Sequence, residues 1–151
     1  MRTEQNNKLI TRVKNVLMSL LVAIIITSCG GNDDTPSLTP QEIAEALLET
    51  SWTLNNGGSI TLDAVEVSDR YDGFTLTIGD GTYTTVNAGE LFPASGTWQW
   101  VGTTDNQVTT GSGKAITITS LTENRFVFSF IKNNQNAAAG IPGNYLITLT
   151  R

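Results

Sequence analysis

From residue 51 to the end of the chain, apolar and polar residues alternate with a period of two, in short runs that recur about every ten residues. That pattern confines the chain to β-structure. The runs cover 51–55, 59–67, 73–78, 82–87, 96–101, 114–121, 125–132 and 144–150, with a shorter ninth at 107–110. Gly-, Asn- and Asp-rich stretches at 56–58, 79–81 and 122–124 separate them, each short enough for a hairpin. One side of the runs carries Trp52, Ile60, Phe74, Leu76, Trp98, Trp100, Ile116, Ile118, Phe126, Phe128, Phe130, Tyr145, Ile147 and Leu149; the other side is mostly Thr. Threonine suits the pleat without adding charge, so this is antiparallel sheet with one wet face. Eight short, hairpin-linked strands predict an all-β fold, an antiparallel up-and-down barrel or a flattened barrel.

One short helix precedes the strands. Thr39 caps, Pro40 suits the first helical position, and Glu42 completes a capping box. Ile43, Ala46 and Leu47 form the stripe expected to pack, and the helix is expected to end near Thr50. A helix of this length is marginal alone, so it is expected to dock across one end of the sheet.

The first 28 residues read as an address. Arg2, Lys8, Arg12 and Lys14 make a positive flank, an apolar run follows from Val16 to Ile26, and Thr27 and Ser28 lead to Cys29. This is the pattern of a secretory signal, with an apolar run too short to span a bilayer. The stretch Ile26-Thr27-Ser28-Cys29 resembles the lipobox of bacterial lipoproteins, with Thr where Ala or Ser is commoner. The resemblance implies cleavage before Cys29, lipidation of its thiol, and a membrane partner engaged through the N-terminal lipid anchor. Residues 29–38 (CGGNDDTPSL) then form a flexible tether, and 39–151 the helix plus β domain. Asp33 and Asp34 after the cysteine resemble the surface-export signal of Bacteroidetes lipoproteins, though Gly-Gly-Asn precedes them. The expected location is the outer membrane, lipid-anchored, in its periplasmic or its cell-surface leaflet.

Composition removes function classes. The 151 residues include 9 Lys+Arg, 14 Asp+Glu, no His and one Cys. Without His there is no Ser-His-Asp triad, no Cys-His pair and no His-bearing metal site. One Cys excludes an internal disulfide and a CxxC pair. Loss of residues 1–28 would leave 5 basic and 13 acidic residues, a net charge of -8. An acidic chain of this kind is not expected to bind nucleic acid.

A second resemblance concerns the body of the chain. Leu48-Glu49-Thr50-Ser51-Trp52, Asp80-Gly81-Thr82-Tyr83, Ser95-Gly96-Thr97-Trp98 and the late 116–122 strand feeding Phe126-Val127-Phe128 are similar to small Bacteroidetes lipoproteins with a lipocalin-like domain. It covers roughly residues 48–150. Ser51 stands where that layout has Gly before the Trp.

Five residues are candidates for ligand binding. Trp52, Trp98 and Trp100 either line an apolar cavity or fill a small barrel, alongside Phe126, Phe128 and Phe130. Leu91 and Phe92 lie in the 88–94 connection, where polar residues would serve, and make it either a lid or a permanent plug. The 133–143 connection (NNQNAAAGIPG) is a contact loop or a tolerated insertion. Asp63, Glu66, Asp69, Asp72 and Glu90 are the remaining acids that chemistry would need, yet no spacing pairs two of them. Asp69-Arg70-Tyr71-Asp72-Gly73 lacks the alternating ligands of a calcium loop, so no metal and no cofactor is expected. The expected function is non-enzymatic binding of a small hydrophobic ligand in a lipocalin-like barrel; the alternative is a structural or adhesive surface module contacting glycan or another envelope protein.

Overall fold

Ten strands follow one helix in the computed structural model, which describes residues 37–133 and 141–151. The helix α1 is Pro40–Leu48. The strands are β1 (Ser51–Thr53), β2 (Ser59–Leu62), β3 (Val65–Glu66), β4 (Thr75–Gly79), β5 (Thr82–Val86), β6 (Ser95–Trp100), β7 (Gln107–Thr110), β8 (Ala115–Leu121), β9 (Arg125–Lys132) and β10 (Gly143–Thr150). From β4 to β10 each strand pairs antiparallel with the next, an uninterrupted meander.

β1 joins the ends of that meander. It pairs with β4 over three residues and meets β10 at Thr53 opposite Thr150. The result is a closed, eight-stranded antiparallel barrel made of β1 and β4–β10. Closure removes the free edges that an open sheet would present. β10 has β9 along its whole length on one side; on the other, β2 takes Tyr145–Thr148 and β1 takes Thr150.

Two expectations need correcting in detail, and the short ninth run is present as expected. The 59–67 run is not one strand but the tight β2–β3 hairpin, turned at Asp63 (φ 48°) and Ala64 (φ 66°). The short 107–110 run is a full member of the ring, as β7. The helix stops at Leu48, before Thr50, and buries Ala44 and Leu48 while Ile43 is half exposed. Its buried stripe is thus rotated from the Ile43/Ala46/Leu47 line. Three long-range bonds accompany that rotation: Gln41 Nε2 donates to the carbonyls of Gly102 and Thr104, and Arg151 donates to Leu47 O.

The capping box forms as the residues dictate. Thr39 Oγ1 accepts from Glu42 N, and the Glu42 carboxylate accepts from Thr39 N at 2.7 Å. That accepted hydrogen bond, from the Thr39 backbone first, holds the Glu42 carboxyl below its usual range.

The barrel interior is the core. Trp52, Ile60, Phe74, Tyr145, Ile147 and Leu149 are fully enclosed. One pairing explains part of the sequence layout: Tyr83 faces Gly96, and a Cβ on Gly96 would lie 2.6 Å from Tyr83 Cζ. The Gly of Ser95-Gly96-Thr97-Trp98 is the floor on which the Tyr of Asp80-Gly81-Thr82-Tyr83 lies.

Candidate functional site

Each barrel end has its own closure. At one end α1 approaches β8, and Leu48 points inward. At the other, the 87–94 connection between β5 and β6 folds over the opening. Asn87 and Gly89 start it with φ of 54° and 52°. Gly89 sits against the Tyr71 ring, where an added Cβ would approach Cε1 to 3.3 Å. Leu91 N then donates to Ala88 O, and the chain rejoins the sheet where Thr85 N and Oγ1 donate to Ala94 O and Pro93 O.

This connection puts Leu91 and Phe92 inside the barrel, 1% and 5% exposed. Phe92 is the hub of the aromatic core. It stacks on Phe74 at 6.4 Å and meets Tyr83, Phe128 and Phe130 edge-on at 6.1, 6.2 and 5.4 Å. Such pairs add to the area that Phe92 buries. Between Phe92 at this end and Leu48 at the other lies an interior cavity of about 40 Å³, walled also by Tyr83, Trp98, Ile116 and Phe128 and exposing no polar surface. An apolar void of that size stays dry.

The five candidate residues therefore separate. Phe92 and Trp98 line the void, and Trp98 is fixed by its Nε1 donating to Gly79 O. Trp52 is fully enclosed beside α1, with Nε1 on Leu48 O, its ring 5.4 Å from Phe126 and the Arg151 guanidinium 5.0 Å away. Trp100 meets Trp98 edge-on at 5.4 Å, and its buried Nε1 has no hydrogen-bond partner among the described residues. Leu91 is buried as part of the same connection. Cys29 lies outside the described residues, as does most of the 133–143 connection.

A ring of polar groups surrounds the plug. Tyr71 OH donates to Glu90 Oε1 at 2.7 Å, Lys132 Nζ to Glu90 O, and Lys114 Nζ to Leu91 O. Burial pulls the Glu90 carboxyl up, but the Tyr71 hydrogen bond and the charges of Lys132 and Arg70 outweigh it and hold Glu90 below its usual range. Burial, then the bond to Glu90, pushes the Tyr71 phenol well up. Lys114 has its ammonium over the rings of Phe92 (4.1 Å) and Phe130 (4.0 Å); burial lowers its pKa to about 8, and Lys132 adds to the effect. In the sequence Lys114 is no more than the first residue of the 114–121 run. The available signal was the scarcity of cations: only five occur in residues 38–151.

Three of the five acids named for chemistry are engaged singly. Asp63 Oδ1 accepts from Asn144 N, Glu66 from Ser68, and Glu90 from Tyr71. Among the described residues the one acidic cluster tight enough to hold a cation is Glu45, Glu49 and Asp80, at the helix end, and it lies mostly in solvent. No family of proteins, no curated protein and no solved structure matches the chain in sequence or fold comparison.

Proposed function

We propose that this chain is a lipid-anchored envelope protein, non-enzymatic, whose barrel admits a small hydrophobic ligand to the space behind Phe92. One observation carries the reading: the side chain that bounds the void at the open end belongs to a loop, not to a strand. Apart from Leu48 on α1, the other walls stand on paired strands, but Phe92 can leave without breaking a strand pair. Its departure would join its own volume to the 40 Å³ already present, in an entirely apolar chamber. The non-enzymatic reading rests on composition: there is no His, and the anchor takes the single Cys. The anchor itself rests on residues 1–29, and the outer-membrane location follows from the same resemblance.

The test is saturable binding of the neutral fluorophore N-phenyl-1-naphthylamine by the whole chain in nanodiscs, against empty nanodiscs. One-to-one binding is expected, tighter in Phe92→Leu, which shrinks the plug while keeping it apolar. Absence of saturable binding in both proteins, with the β signature of circular dichroism intact, would overturn the ligand reading. Loss of fatty-acid labelling in Cys29→Ser is the expected result for the anchor.

A second reading has its own observation. Ile131 (70% exposed) and Leu146 are diagonal neighbours on the outer face of β9 and β10, since Asn144 stands opposite Ile131 and Leu146 opposite Ser129. Ile141 is exposed as well. Apolar side chains grouped on an outer sheet face suit contact with another envelope protein, and a filled barrel suits a surface module.

A further inference from the structure

The plug is held by cations. Lys114 and Lys132 donate to two successive carbonyls of the connection, Leu91 O and Glu90 O. An ammonium has three N–H donors. Among the described residues Lys114 finds one oxygen, and the faces of Phe92 and Phe130 serve in place of others. Charges so far withdrawn from water are normally paired with an opposite charge. The charge that bears on Lys114 is instead a like one, Lys132. Of the acids near this mouth, Glu90 is taken by Tyr71 and lies under the influence of Lys132 and Arg70, and Asp63 accepts from Asn144 N. Three of the five cations in residues 38–151 thus gather at one opening of an acidic chain.

We propose that Lys114, with Lys132 beside it, receives the anionic head group of an amphiphile whose apolar chain enters the barrel as Phe92 leaves. This rests on the reading of Phe92 as a displaceable plug. When the connection withdraws, Lys114 loses the Leu91 carbonyl and one of its two rings together. A neutral apolar ligand would leave the ammonium bare in an apolar wall. An anion restores a partner through a charge-assisted hydrogen bond, to which Lys132 adds long-range attraction. The preferred ligand class is therefore a small amphiphile with a carboxylate or similar anionic head, over a neutral hydrocarbon or alcohol of the same length. Selection comes from the penalty on the wrong ligand as much as from attraction to the right one.

The test compares octanoate with octanol, matched in chain length and different in charge. Both are titrated into the whole chain in nanodiscs, read by tryptophan fluorescence and corrected with empty nanodiscs. Octanoate is expected to bind about tenfold tighter or more, the size of effect that a hydrogen bond to a charged group gives. Lys114→Met should erase the preference by weakening octanoate while leaving octanol unchanged or improved. Lys132→Gln should reduce it severalfold, which keeps the question decidable if Lys114→Met fails to fold. Equal binding of the two probes by the unmodified chain would overturn the anion site and leave the chamber reading standing. Binding of neither would overturn the chamber reading and this inference with it.

Discussion

Lys114 is a residue that the barrel holds at a cost. Its side chain is drawn out of water against two rings, and the folded protein binds its proton less tightly than the unfolded chain does. The unfolded lysine titrates near 10.5 and the folded one near about 8. Between those values the unfolded state binds more protons, so this group makes stability rise as pH rises through the window. Below it the whole penalty is present, on the order of 2 kcal/mol once solvent screening is allowed for. Lys114→Met is therefore expected to flatten the rise from pH 8 to 10.5 and to stabilise the fold at pH 7 by less than that amount, because it also gives up the bond to Leu91 O. Urea denaturation at a series of pH values checks both; a less stable variant with the rise intact would refute the argument. The sequence marked Leu91 and Phe92 because apolar residues in a connection have to go somewhere. Beyond the scarcity of cations it did not mark Lys114, since nothing local to Gly111–Lys114 tells that the barrel mouth will fold two phenylalanines around the ammonium.

At the scale of elements, the β2–β3 hairpin turns on a residue that fits poorly. Ala64 sits at φ 66°, where a Cβ crowds the following carbonyl, whereas Asp63 at φ 48° belongs to a type that tolerates the region. Ala64→Gly should relieve that crowding and stabilise the domain by about 0.5–1 kcal/mol, net of the extra freedom it gives the unfolded chain. A rise in the denaturation midpoint without a change in slope is the expected observation. The same residue explains why the hairpin was hard to read. Asp-Ala is not a turn pair, so 59–67 passed for one strand, although the apolar positions shift phase from Ile60 and Leu62 to Val65 and Val67. The rest of the meander was legible because β4–β5 and β8–β9 turn at Gly, Asp and Asn, and the one register shift in β8, between Ile118 and Ser120, comes after Ile116 and Ile118 have set its inward face. The helix was legible from Thr39, Pro40 and Glu42, which act locally. Its buried face was not, because distant partners choose it: Gly102 and Thr104 for Gln41, and Arg151 for Leu47.

For the molecule as a whole, the ring is only as sound as its seam. β9 and β10 share eight register pairs, whereas β1 and β10 share one, Thr53 opposite Thr150. Around that single pair the chain has added fastenings. Thr150 Oγ1 donates to Asn55 O at 2.6 Å, Arg151 donates to Leu47 O at 2.9 Å, and the Arg151 guanidinium lies 5.0 Å from the Trp52 ring. Arg151 thus ties α1, β1 and β10 together where the ladder is thinnest. Local opening follows the density of such contacts, so the seam should open below the free energy of global unfolding. Native-state hydrogen exchange is expected to find the amides of β1 and the end of β10 faster than those in the middle of β9 and β10. Arg151→Ala should quicken the seam amides a further two- to fivefold or about that, the size expected for one exposed cation–π contact and one hydrogen bond. Exchange in β5–β8 should not change, because those strands share no partner with Arg151. Uniform acceleration across all strands would mean that the barrel opens as one unit and that β1 is no weaker than the rest of the ring.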